Sequence, residues 1–166
     1  MSENIPRKEE MRQTVSIKGQ YVLTKLVDVV SLYNIDITNQ MVQKNVVEYA
    51  GGSYTSLFER LEVPEPCPLQ AFVSATCRFI EDEYDEIMFR HYLDCDRLIE
   101  AYNDGKYEQS AEYEIILADG IVHTIRHKMI LTKDEDTGGI IARCSTRDIN
   151  EIVSKERDSV KKQERI

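Results

Sequence analysis

Apolar positions recur with a helical period near the start of the chain, a period of two after residue 30, a helical period again in the middle and a period of two in the last third. Met11, Val15, Val22, Leu26 and Val29 are separated by three, four or seven residues. That spacing stacks them on one stripe and predicts an amphipathic helix over 8–27, with Gly19 as its weak point. Over 31–38, Tyr33, Ile35 and Ile37 alternate with Asn34, Asp36 and Thr38, the signature of a strand. Thr38-Asn39-Gln40 is turn-forming, and the apolar run over 41–49 predicts a second strand paired to the first. Gly51-Gly52-Ser53 ends that hairpin.

The middle, 54–103, shows no alternation and is broken by Pro64, Pro66 and Pro68. Pro68 suits a first helical turn, where its missing N–H costs nothing. Leu69, Phe72, Val73, Thr76 and Phe79 then repeat at helical spacing. Two more short helices are expected over 83–92 and 95–102, the second with Asp94 as N-cap. Asn103-Asp104-Gly105 closes the region. Strands return over 107–117 and 121–132, joined by Ala118-Asp119-Gly120, a strong hairpin signal. A turn over 133–139 leads to a last strand over 140–146. Beyond Asp148 the chain is mostly charged, with sparse apolar positions at Ile149, Ile152, Val153 and Val160, and a helix is expected. The sum is an α+β chain: a five-stranded antiparallel sheet with short helices inserted after strand 2, flanked by N- and C-terminal helices. It divides into an N-terminal helix with its lead-in over 1–28, a domain over 29–150 and an exit helix or linker over 151–166.

Four stretches add local detail to that order. They are Ser31-Leu-Tyr-Asn-Ile-Asp-Ile-Thr38, Tyr113-Glu-Ile-Ile-Leu-Ala-Asp-Gly120, Ile130-Leu-Thr-Lys-Asp-Glu-Asp-Thr-Gly-Gly-Ile-Ile-Ala142 and Arg147-Asp148-Ile149-Asn150. Over about 29–150 the chain resembles PAS domains of the kind that precede bacterial cyclic-di-GMP enzymes. The first stretch is similar to their opening strand, the next two to their later strands and turns, and the fourth to the Asp-Ile-Thr junction that starts the signalling helix. Asn150 stands where that junction has Thr, and Thr124 lies near the place of a common strand-four Trp. The resemblance implies a sensory input domain without catalytic residues, feeding an output domain beyond Ile166. A diguanylate cyclase or cyclic-di-GMP phosphodiesterase is the implied output, with a histidine kinase next. It also implies a space between sheet and helices, to which alternation assigns Phe72, Leu98, Tyr113, Ile115, Ile125 and Met129.

Composition narrows the partners. A net charge of −9 argues against non-specific nucleic-acid binding and against docking on an anionic membrane surface. No apolar run approaches the ~18 residues of a membrane-spanning helix, and the charged first dozen residues lack a signal-peptide core. Cys67, Cys77, Cys95 and Cys144 are scattered without CxxC spacing, as buried thiols are in a reducing, cytoplasmic compartment.

Candidate chemistry is sparse. Thr76-Cys77-Arg78-Phe79-Ile80 invites comparison with the photoreactive cysteine motif of flavin-binding LOV domains. However, Thr76, Ser74-Ala75 and Glu81 replace its Asn, Gly-Arg and Gln, so Cys77 reads as a small buried hydrophobe and no flavin is expected. His91 and Cys95 share a helical face but lack the third ligand of a tight metal site. His123 and His127 share a strand face ~13 Å apart, too far to chelate. No haem ligand stands out, and these histidines read as core or surface residues. Five carboxylates within 81–86 lack the order of a calcium loop and suit a helix start through its dipole. There is no nucleophile elbow or phosphate loop. Neither Gly-Gly pair continues as the active loop of a diguanylate cyclase.

The stripe Met11, Val15, Val22, Leu26 has no partner within so small a domain, which predicts a homodimer that buries both copies of it. Asp148, Ile149, Ile152 and Val153 would carry movement outward into the following helix. The competing readings are a ligand-free dimerisation adaptor and a small cavity enzyme of ketosteroid-isomerase or thioesterase type. An enzyme would need a buried carboxylate or His of shifted pKa in the cavity. Glu112, Glu114, Arg126 and Lys128 instead alternate as a solvated or interfacial strand face.

Overall fold

The computed structural model describes residues 29–43, 47–50 and 53–150. The expected N-terminal helix, its stripe Met11, Val15, Val22 and Leu26, and the exit helix with Ile152 and Val153 lie outside the described residues.

Strand β1 (Val29–Asp36) follows the alternation read from the sequence. Its odd positions from Val29 to Ile35 are buried, and Asn34 is exposed. The expected second strand is divided. Met41–Val42 (β2) pairs with Ile35 and Asp36, whereas Val47–Ala50 (β3) pairs with Ser31 and Leu32. β2 turns its other edge to Cys67–Pro68 (β5). β3 pairs instead with a strand the sequence reading missed, Ser53–Ser56 (β4), with Tyr49 opposite Tyr54 and their ring centroids 4.9 Å apart.

A short helix follows directly, Leu57–Leu61 (α1), also missed because five residues give no measurable period. Ser56 caps its N-terminus at Glu59 N–H, and Leu57, Phe58 and Leu61 are buried. Helix α2 (Leu69–Cys77) starts after Pro68 and buries Leu69, Phe72, Val73 and Thr76; Phe79 lies just past its end. Helices α3 (Glu83–Tyr92) and α4 (Cys95–Asn103) each begin at an Asp whose carboxylate accepts a backbone N–H three residues on. Asp82 accepts from Asp85 and Asp94 from Arg97, satisfying donors a helix start leaves free. The carboxylates over 82–86 are therefore a helix start.

Strands β6 (Glu108–Ile116), β7 (Val122–Lys133) and β8 (Ile140–Asp148) complete the sheet. Gly120 turns the β6–β7 hairpin at φ 76°, the left-handed backbone that Asp-Gly supplies without a Cβ penalty. The strand order is β4-β3-β1-β8-β7-β6, with β2 and β5 attached beside β1 and every pairing antiparallel. The five expected strands thus become eight segments, because the second is split and two short ones are added. The helices fall between the first strands and β6, as the PAS resemblance implies, and the fold is of the PAS type. On β7, Ile125, His127, Met129 and Leu131 face the helices, while Glu112 and Arg126 pair on the outer surface, Oε2 to Nη2 at 3.2 Å.

One apolar core joins the inner sheet face to all four helices. Leu98 on α4 is fully buried, whereas Ile87 on α3 is 61% exposed. Leu98→Ala should cost about 2–5 kcal/mol in urea unfolding, and Ile87→Ala should stay within about 0.5 kcal/mol. Equal costs at both positions would contradict the packing described.

Candidate functional site

A cavity of about 40 Å³ lies between β1, β3, α1, α2 and the inner face of β6 to β8. Its wall is largely apolar, with Leu57, Leu61, Phe72, Phe89 and Ile125 among its members. Ser31, Glu48, Arg60, Thr76 and Thr146 bring polar atoms to it. Of the residues assigned to a pocket from the sequence, Phe72, Tyr113, Ile115 and Ile125 line this space. Leu98 and Met129 are buried but outside its wall. Alternation gives the face of a strand and not the position along it: Met129 lies two residues beyond His127, opposite Cys144.

Three polar arrangements surround the cavity, and each joins residues far apart in sequence. The first is an ion pair. Arg60 on α1 donates from Nη2 to Glu48 Oε1 on β3 at 3.0 Å, and its Nε lies 2.8 Å from Oε2. The Nε hydrogen is not aimed at that oxygen, so this contact is coulombic and Nε has no hydrogen-bond partner. Both side chains are largely withdrawn from water, at 4% exposure for Glu48 and 11% for Arg60. Glu48 Oε2 also accepts from Ala118 N–H, and Arg60 Nη2 donates to Ile116 O, so the pair ties β3 and α1 to the end of β6. The guanidinium sits 4.2 Å above the ring of Phe79.

The second arrangement is centred on His127. Its Nδ1 lies 3.1 Å from Tyr113 Oη, and its Nε2 makes a longer contact of 3.4 Å with Tyr33 Oη. Tyr92 Oη donates to its carbonyl at 3.1 Å, with the Tyr92 ring edge-on to the imidazole. Burial holds the imidazole neutral, pushing its pKa down to about 3, and pushes the Tyr33 and Tyr113 phenols up. A neutral ring offers one donor and one acceptor, so one tyrosine donates to it and the other accepts. The third is the Ser31–Thr146 hydroxyl pair, which bridges β1 and β8. His127, read from the sequence as a core or surface residue, is a core residue, but neither its tyrosine partners nor the Glu48–Arg60 pair was visible there, since the partners come from other elements.

Asp148, expected at the exit junction, is the last residue of β8, and Ile149 follows it. Ile149 is buried and donates its N–H to Thr124 O, while Asn150 Oδ1 accepts from Thr124 N–H at 2.7 Å. Asp148 Oδ2 lies 2.6 Å from His123 Nδ1, and Asp119 Oδ2 lies 2.8 Å from His123 Nε2. Cys67, Cys77, Cys95 and Cys144 are buried free thiols whose pKa values burial raises. His91 is exposed, and among the described residues no group of three or more His, Cys, Asp or Glu is placed to hold a metal ion. No described helix is long and apolar enough to cross a membrane.

No protein-family model matches the chain. No curated protein matches it either. Among solved structures it is similar to a sensory box histidine kinase/response regulator from Burkholderia thailandensis (12% identity, 93% of this chain and 99% of that one, TM-score 0.47). It is also similar to the PAS domain of Bordetella pertussis BvgS (11%, 89% and 98%, TM-score 0.42). A third is the N-terminal domain of a diguanylate cyclase with PAS/PAC sensor from Marinobacter aquaeolei (11%, 72% and 94%, TM-score 0.39). Likenesses at this level transfer no ligand, residue role or partner; the PAS-type fold rests on the strand order and helix placement described above.

Two outcomes test the site. Arg60→Met alone should cost about 3–5 kcal/mol, because it leaves a buried carboxylate without its counter-charge. Adding Glu48→Gln, which keeps an acceptor for Ala118 N–H, should recover most of that loss in the same denaturation assay. For His127 the unfolded imidazole takes a proton below about pH 6.5 while the folded one resists until about pH 3. Stability from this group is therefore complete above pH 6.5 and is lost as pH falls between those values. His127→Gln should flatten that limb of the stability profile, and an unchanged limb would assign the acid loss elsewhere.

Proposed function

We propose that this chain is a sensory input module, one that converts a change in the cavity into a change in the chain leaving β8. The observation that carries this reading is the position of Thr146. It lies in the cavity wall, bonded to Ser31, and two residues further along the same face of β8 stands Asp148 at the exit. Buried polar groups beyond the needs of packing are costly, and one of those in the cavity wall, Thr146, stands on the strand that leads out. The preferred ligand is a small polar molecule able to hydrogen-bond the polar groups of the cavity wall, among them Ser31, Thr76 and Thr146. A volume of about 40 Å³ is far below the ~300–1,000 Å³ of drug-sized ligand pockets, so neither flavin nor haem belongs to this reading.

The module acts as a cytoplasmic homodimer, with the segments over 1–28 and 151–166 as the dimer and signalling parts. It controls a covalently linked output domain, a diguanylate cyclase by the PAS resemblance, through rearrangement of the two copies. It has no catalytic role of its own. The small cavity favours a second reading, a dimerisation adaptor whose core holds only water, since ~30 Å³ is one water's share of liquid volume.

Sedimentation velocity and a thermal-shift series with formate, acetate and acetamide separate the two. The sensory reading expects a species at twice the 19.3 kDa chain mass, and a rise in Tm with at least one probe that Thr146→Val abolishes. A dimer indifferent to every probe supports the adaptor. A monomer throughout refutes both.

A further inference from the structure

His123 stands at the start of β7, outside the cavity wall, with a carboxylate against each ring nitrogen. A neutral imidazole has a single N–H and can satisfy only one of them, leaving a lone pair facing the other oxygen. Only the imidazolium donates to both. A third group lies within reach: Asn150 Nδ2, 3.4 Å from Nδ1, can donate to that nitrogen once its proton is gone. The residues involved are those that fix the chain's departure. Asp148 ends β8 and its Oδ1 accepts from Asn150 N–H, while Ile149 and Asn150 both bond Thr124, next to His123.

We infer that His123 is a proton-operated latch on the exit of the chain. Protonated, it ties Asp119 of the β6–β7 turn to Asp148 and holds the path beyond β8. Deprotonated at Nδ1, it loses its bond to Asp148, and the tie between the turn and the end of the strand is broken.

The charged and titratable groups around it support this. Asp119 faces it from the turn and Asp148 from β8, and its β6 partner is the apolar Ile115. Glu48 and Arg60 reach the neighbouring backbone at Ala118 and Ile116, but they are paired with each other. Burial works against the charge on His123; the hydrogen bonds and charges of Asp119 and Asp148 outweigh it and raise its pKa above the ordinary 6.5. Asp119 is likewise held below its ordinary value: burial opposes this, but the Ile121 N–H and His123 overcome it. A raised folded pKa means that the latch is complete below pH 6.5 and is lost as pH rises through the folded value.

The full 166-residue chain, free of ligand, is the material for the test, so a failure here leaves the sensory reading untouched. Ring titration by NMR and amide hydrogen exchange at Thr124 and Ile149, corrected for intrinsic rates and referenced to Ala142, are the readouts. His123 should titrate above 6.5, and protection at the two amides should fall roughly tenfold per unit of pKa shift as it does so. Asp148→Asn should bring the midpoint down toward 6.5, and His123→Gln should leave protection low at every pH. A midpoint at or below 6.5 in the unaltered protein, or protection that stays flat while the ring titrates, overturns the latch. Should His123→Gln fail to fold, the unaltered chain and Asp148→Asn still decide.

Discussion

β8 forms backbone hydrogen bonds with β1 on one side and β7 on the other, and it alone joins the β4-β3-β1 strands to the β7-β6 hairpin in one sheet. Its pairing with β1 brings Ile141 against Asp36 and Thr146 against Ser31, residues separated by most of the domain. The chain must therefore order its helices and two long strands before its first strand acquires its main partner. Contacts of such sequence separation are slow to form, because loop closure precedes the gain from pairing. The same insertion puts the domain's last strand at the centre of its sheet.

The interior is apolar, but its exceptions are ordered. Thr76 bonds Phe72 O of its own helix, and the other buried polar residues meet a side chain from another element: Ser31 meets Thr146, Glu48 meets Arg60, and His127 meets two tyrosines. A lone polar group in such surroundings would cost several times what one hydrogen bond contributes. These pairs consequently fix register as well as satisfying their atoms. A slip of β8 by one residue would take Thr146 from Ser31 and turn Cys144 and Asp148 to the opposite face.

Much of this was legible in the chain. The alternation at Tyr33, Ile35 and Ile37, the Asp-Gly hairpin at residue 120 and the N-cap at Asp94 are local signals, and each marked its element within a residue or two. The four- and five-residue pieces β4 and α1 are shorter than any period can register, and Gly51-Gly52-Ser53 read as an end where pairing resumes at Ser53. Parity placed Tyr113, Ile115 and Ile125 on the inner face but could not say how far along it the cavity lies, so Met129 and Leu98 were grouped with them. The resemblance pointed to Asp148 and Ile149 at the junction. Asp148's partner was hidden, because Asp119, His123 and Asp148 meet only through the β6–β7 turn and the β7–β8 register. His127 read as ordinary for a similar reason, its tyrosines arriving from β1, α3 and β6.

The four buried sulfhydryls give the domain a property unrelated to signalling. Thiolate is the form that electrophiles attack, and burial suppresses it at Cys67, Cys77, Cys95 and Cys144. Each sits on a different piece of the fold, from the β5 segment beside β2, through two helices, to the middle of β8. A reagent such as iodoacetamide would thus meet them only when that piece opens, and the order of their modification would map which parts of the core breathe first.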